Sequence, residues 1–233
     1  MTNRALLYTT GSPYSRGVRI VLDELGLEYD KREELTTPSA ESRARSSPTL
    51  QVPVFWDGEV QLWESSLIVD YLLSEYKVDG VTFPPLAQSL ARPDHWIRDR
   101  LVASSIHTLG TSGTTIWQMV VGGTTIKNSG YLAICAEQYS YLLEWLENQL
   151  TSGNEGFIPN VCSIQDIMLG CHLRFVQNRP TGIELNLDQY PKISGLLSRL
   201  DERSSFINNP ILWWEPGVIG YEDDGYTPIY ETK

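Results

Sequence analysis

Residues 5–26 read ALLYTTGSPYSRGVRIVLDELG, and two structural periods follow one another within this stretch. Ala5 to Thr9 is a short apolar run and reads as a buried strand. Val18, Val21, Leu22 and Leu25 then fall at i, i+3, i+4 and i+7, the spacing of one apolar helix face. Gly26 supplies the stop, so a helix is predicted from about Ser15 to Leu25. Tyr29 to Glu34 reads as a second strand. Strand, helix and strand in so short a span imply a parallel crossover, because parallel neighbours need a helical return between them.

Working outward, Val52 to Trp56 and Val60 to Trp63 flank Asp57-Gly58, the signature of a hairpin. Glu64-Ser65-Ser66 opens a helix with Leu67, Ile68, Tyr71 and Leu72 on its expected buried face. The order is therefore βαβ followed by ββα. Residues 77–87, KVDGVTFPPLA, break every periodicity and mark a linker. We expect an α/β domain over 1–78 and an all-helical domain over 88–233. In the second, Leu132, Cys135, Ala136, Tyr139, Leu142, Leu143, Leu146 and Leu150 keep a helical stripe. Ser163 and Asp166 form a capping box ahead of a buried helix. Gly110 to Gly130, rich in Thr and Gly, reads as a loop or a broken helix.

Charge excludes one class of partner. With 29 acidic against 18 basic side chains the net charge is −11, which opposes the phosphate neutralisation on which nucleic-acid binding depends. No signal-peptide h-region or membrane-length apolar run stands at the N-terminus, so a cytoplasmic protein without membrane contact is expected. Cys135, Cys162 and Cys171 are odd in number and lack metal-ligand spacing. They read as reduced packing residues, with no metal site.

Four local features carry chemistry. Gly11-Ser12-Pro13-Tyr14-Ser15 lies between a strand end and a helix start, where unsatisfied N–H groups and the helix dipole favour an anion. From the local residues alone, an ordinary N-cap at Ser12 with Pro13 at N1 is the simpler reading. Val52-Pro53 at a strand start reads either as an edge proline or as backbone exposed to an extended peptide. Glu64-Ser65 at a helix start suits an α-amino acid head group, the carboxylate taking an ammonium and the hydroxyl and N–H groups a carboxylate. A plain N-cap is the alternative. Gln51 is a polar donor or a solvated loop residue.

The segments SPYSRGVR (12–19), QVPVF (51–55) and LWESSLIVDYL (62–72) occur in the order seen in glutathione transferases, and the chain resembles that superfamily. It looks like a bacterial-type cytosolic member of serine type, nearest the theta- and zeta-like classes. Ser163 to Asp166, Tyr190-Pro191 and the run from Arg203 to Phe206 extend the resemblance to about residue 210. It implies a thioredoxin-like N-terminal domain, a cis Pro53, and Val52 backbone pairing with the cysteinyl unit of glutathione as co-substrate. Glu64 and Ser65 would hold the γ-glutamyl end and Gln51 the glycine carboxylate.

Ser12 aligns with the hydroxyl that hydrogen-bonds the glutathione sulfur, and Tyr8 with the position used by tyrosine-type classes. A free thiol titrates near 8.5, so lowering it by about two units needs roughly 2.7 kcal/mol from such donors. Tyr14, Ile106, His107 and Trp117 would line the pocket for a small hydrophobic electrophile. The tail 211–233 runs beyond the usual family end, and a homodimer is implied. Serine at 12 disfavours disulfide exchange, and Tyr14 stands where zeta-type isomerases carry cysteine. A glutathione-dependent isomerase of maleylacetoacetate type and a non-catalytic binding or scaffold protein are the competing readings.

Overall fold

Strand β1 (Arg4–Tyr8) leads into α1 (Pro13–Glu24), β2 (Asp30–Glu33), α2 (Ala40–Ala44), β3 (Val54–Asp57), β4 (Val60–Trp63) and α3 (Ser65–Glu75). Helices α4 (Trp96–Val121), α5 (Gly130–Gln149), α6 (Ile164–Gln177), α7 (Pro191–Asp201) and α8 (Ser204–Ile207) follow. A hairpin of β5 (Val218–Tyr221) and β6 (Pro228–Tyr230) lies in the tail and adds two strands to an otherwise helical region. This computed structural model describes residues 3–34, 39–76, 93–150, 156–159, 161–179, 181–212, 218–221 and 228–230. The expected linker 77–87 lies outside them, as do residues 213–217, 222–227 and 231–233 of the tail.

The four-stranded sheet runs β2-β1-β3-β4, with β1 parallel to β2 and the other pairs antiparallel. This is the predicted βαβ-ββα unit of thioredoxin-like type. Helix α1 begins at Pro13, two residues earlier than the apolar stripe suggested, because Ser12 and Pro13 supply cap and first turn. Its burial also extends past the stripe to Arg16, Arg19 and Ile20, since α6 covers the face turned away from the sheet. Both guanidiniums donate to backbone: Arg16 Nε to Asn209 O at 2.7 Å and Arg19 to Pro210 O at 3.1 Å. On α3 the buried face is Ser65, Ile68, Val69, Leu72 and Leu73, which turns Leu67 outward to 51% exposure, against expectation.

One contiguous apolar core joins the sheet, α1 and α3 to the helices after them. Helix α6 is its pillar, with Ile164 through Leu173 buried without a break. Close approach to α6 explains why Gly110–Val121, expected within a loop or a broken helix, instead completes the 26-residue α4 without a break. A Cβ at Gly110 would come within 2.4–2.6 Å of His172 ring atoms, and one at Gly113 within 2.9 Å of Val176. The glycines therefore mark helix contact. Thr114 also folds its hydroxyl back to Gly110 O at 2.9 Å, a bond a helix accommodates. Only residues 122–129 form the connection that the composition indicated.

The capping box at Ser163 and Asp166 forms as expected, and it is fully buried. Asp166 accepts from Phe157 N at 2.9 Å, Ser163 N at 2.6 Å and Ser163 Oγ at 2.7 Å. Burial nevertheless pushes its carboxyl up to about 6, against the downward pull of those bonds and of Arg199. A raised carboxyl keeps its proton in the folded chain over a range in which the unfolded chain has lost it, so its contribution to stability falls as pH rises from about 4 to about 6. We expect the stability advantage of wild type over Asp166→Asn, read by urea unfolding, to shrink by about 2 kcal/mol between about pH 4.5 and about pH 7.5. A gap that stays constant with pH would contradict the raised carboxyl.

Candidate functional site

The turn after β1 is closed by Ser12 N donating to Thr9 O at 3.2 Å, which sets Ser12 at the N-cap of α1. Its Oγ accepts from Ser15 N at 3.2 Å. A serine hydroxyl has two lone pairs and one proton, so capping occupies an acceptor and leaves the proton to donate elsewhere. The cap and the chemical reading of Ser12 are thus compatible. The same turn is clamped from behind by Arg179, buried just past α6, which donates to Gly11 O and to Leu212 O, both at 3.0 Å. Its guanidinium lies 4.2 Å from the Phe175 ring centroid.

Across from this turn, Glu64 precedes α3 with φ 71° and ψ 115°, a backbone conformation that side chains other than glycine rarely adopt. Its carboxylate makes no capping bond. Ser65, buried, is the first helical residue, so the unsatisfied N–H groups of α3 open beside it. The Val52–Pro53 peptide is cis. Ser12, Tyr14, Gln51, Val52, Pro53, Glu64, Ser65, His107 and Trp117 all line one cavity of about 530 Å³. Ile106 does not: it is 2% exposed and lines a neighbouring chamber, because one residue along a helix rotates the side chain by about 100° away from His107.

The cavity also holds residues that the sequence reading did not single out. Arg43 on α2 pairs with Glu34 at 2.6 Å and donates to Leu50 O at 3.0 Å, bringing a cation to the rim beside Gln51. Thr111, Thr114, Thr115 and Gln118 continue the face of α4 that His107 begins. Their helical spacing from His107 was the available signal, masked by the loop-like composition. Arg179 had no local signal, since its partners are 168 and 33 residues away.

The two tyrosines differ in position. Tyr14 OH lies 3.3 Å from Thr111 Oγ1 inside the cavity, and burial raises its pKa although Thr111 and Thr114 act the other way. It is therefore a neutral phenol at physiological pH. Tyr8 is buried in the core with the Arg19 guanidinium 5.0 Å from its ring centroid, and does not line the cavity. Burial and Glu33 raise its pKa. Among the described residues no group of three His, Cys, Asp or Glu is placed to hold a metal ion, and no helix is long and apolar enough to cross a membrane.

Residues 6–80 match the family described as glutathione S-transferase, N-terminal domain. Over that N-terminal stretch the chain is similar to the glutathione S-transferases. A dichloromethane dehalogenase of Methylophilus leisingeri is 24% identical, aligned over 100% of this chain and 88% of its own. Among solved structures, a glutathione S-transferase of Methylobacterium radiotolerans in complex with glutathione sulfonate superposes with TM-score 0.74 at 24% identity, covering 89% of this chain and 94% of that one. A second, from Methylobacillus flagellatus with glutathione bound, gives TM-score 0.70 at 22% identity over 88% and 98%. These superpositions span the sheet unit and the helices alike, as the continuous core requires.

The strained residue in the cavity wall is a substitution target. Glycine at position 64 relieves the positive φ, so Glu64→Gly should raise unfolding free energy by about 1 kcal/mol, although it deletes the one carboxylate at the mouth of α3. Urea midpoints of the two proteins measure this, and a less stable variant would show that Glu64 makes stabilising contacts outweighing its backbone.

Proposed function

We propose that the protein binds glutathione and adds its thiolate to a small hydrophobic electrophile. The observation that carries this reading is the joint presence, in one cavity, of a Ser12 hydroxyl whose proton the cap does not use and of Glu64 and Ser65 at the open end of α3. An α-amino acid head group matches the second pair: its ammonium suits the Glu64 carboxylate, and its carboxylate suits the Ser65 hydroxyl and the helix N–H groups. Val52 backbone reads the middle of the peptide, and Gln51 with Arg43 the glycine carboxylate. The superposing structures that hold glutathione or glutathione sulfonate support the ligand.

The Ser12 proton then donates to the sulfur and favours the thiolate, assisted by the N-terminal dipole of α1. The sulfur lone pair forms a bond to the electrophilic carbon while the bond to the leaving group breaks, its electrons departing with that group. Tyr14, His107, Thr111 and Trp117 shape the part of the cavity given to the electrophile. Likeness to the dichloromethane dehalogenase supports including a dihalomethane in an electrophile panel. In this reading residues 1–78 are the glutathione-binding domain and 88–233 hold the second substrate. A cytoplasmic location goes with it, supported by the free thiols of Cys135, Cys162 and Cys171.

Ser12→Ala should lower conjugation about 100-fold and raise the pKa of the bound thiol, with little change in glutathione affinity, because one donor to a developing anion is lost while the peptide's grip is kept. A wild-type pH–rate profile for Ser12→Ala, together with loss of thiolate formation in Tyr8→Phe, would falsify the assignment. Large apolar side chains exposed on α3, α4 and α5, among them Leu67, Leu101, Tyr131 and Ile134, support a two-fold homodimer. Light scattering at micromolar concentration should therefore give twice the 26.3 kDa chain mass, and a single chain mass would refute it.

A further inference from the structure

Behind Tyr14 lies a second chamber of about 360 Å³, bounded by α3, α4 and α6. Tyr14, Ser65 and His107 are common to both spaces, but Ser12, Pro53 and Arg43 have no part in this one. Its inner wall is apolar, built from Val69, Ile106, Ile164 and Met168, each at most 9% exposed. Asp70, Arg100, Ser66 and Ser104 line its more exposed part, and Ser65, Gln165 and His172 are the buried polar side chains that interrupt the apolar wall. His172 and Gln165 are each 1% exposed, and neither ring nitrogen of His172 nor Oε1 of Gln165 meets a hydrogen-bond partner among the described residues. Buried polar groups left in that condition are costly, and proteins keep few of them.

The His172 ring is held where it is. The Tyr14 ring packs edge-on at 4.7 Å between centroids, and the α4 backbone at Gly110 presses so closely that no Cβ fits there. Rotation toward another protein partner is blocked on both sides. Burial, with His107 nearby, drives its pKa down to about 3, so the ring is neutral, with one nitrogen donating and the other accepting. An anion gains no ion pair from a neutral imidazole and loses its hydration in such a place. A hydroxyl, which donates and accepts at once, complements both the imidazole and the Gln165 amide, and the surrounding walls suit an apolar body.

We propose that this chamber is a second ligand site, taking a small neutral molecule that carries a hydroxyl group on an apolar body, with His172 and Gln165 as its polar floor. It does not depend on the reading of the Ser12 cavity. Its volume lies in the usual range for small-molecule pockets, roughly 300–1,000 Å³. Because Tyr14 is a wall of both spaces, the occupant sits beside the Ser12 cavity without reaching Ser12.

Fluorine NMR titration with 4-fluorophenol tests this, with fluorobenzene as the probe lacking the hydroxyl. Wild type should bind 4-fluorophenol saturably, at least about tenfold more tightly than fluorobenzene, because the floor groups are left unpaired by the latter. His172→Phe should erase that preference. Ser104→Trp, which changes an exposed residue at the chamber rim and spares the core, should block binding while leaving the circular dichroism of the fold intact. Absence of saturable binding to wild type, equal affinity for the two probes, or binding that survives Ser104→Trp would each overturn the proposal and leave the chamber a water-filled gap.

Discussion

A single buried carboxylate anchors the architecture. Asp166 closes the first turn of α6 from within and reaches back to the Phe157 backbone, so the helix start and the chain before it are set by one group. Phe157 is itself buried, and Gly156 approaches the carboxylate too closely to carry any side chain. Helix α6 then contacts α1, α4 and α7, which makes it the common wall of the sheet unit and the helical region. Three hydrogen bonds to an anion at a helix N-terminus are strong individually, yet burial still lifts its pKa, so the box specifies geometry at a price in charge.

The chemistry depends on that wall at one remove. The far end of α6 delivers Phe175 to the cavity and, just beyond its last turn, Arg179, which clamps the carbonyl next to Ser12 and ties it to Leu212. From the other side, Arg16 and Arg19 bind the 209–210 backbone to α1, and Arg203 meets Glu24 through paired bonds of 2.9 Å. Charged groups on α1 are therefore used to fasten the chain's later segments around the turn that bears Ser12. The Arg16, Arg19 and Arg179 guanidiniums donate to backbone carbonyls that would otherwise lack those partners, and those of Arg16 and Arg19 are why a face of α1 that reads as polar is in fact interior.

Much of the architecture was legible from residues 5–76. Strand and helix periods there differ sharply, and local punctuation at Gly26, Asp57-Gly58 and Ser12-Pro13 acts over a few residues, so the βαβ-ββα order follows from short-range physics. The capping box at Ser163 is equally local, needing only the spacing of a serine and an aspartate. Where composition pointed the wrong way, at Gly110–Val121, the deciding energy came from outside the segment: contact with His172 and Val176 on α6 makes glycine the residue that fits, and packing overrides its low helix propensity.

By itself the sequence determined the order of elements, the four motifs that converge on one cavity and the superfamily resemblance they carry. The tertiary structure alone decided which face of α4 meets that cavity, separating His107 from Ile106, and which charges lie inside, as with Arg16, Arg19 and Arg179. It also decided that His172 stays neutral, because a pKa follows the dielectric and the neighbours that folding assembles. Local spacing encodes hydrogen bonds a few residues long. Burial is a property of the packed whole, set by contacts up to 193 residues apart, and no window of sequence contains it.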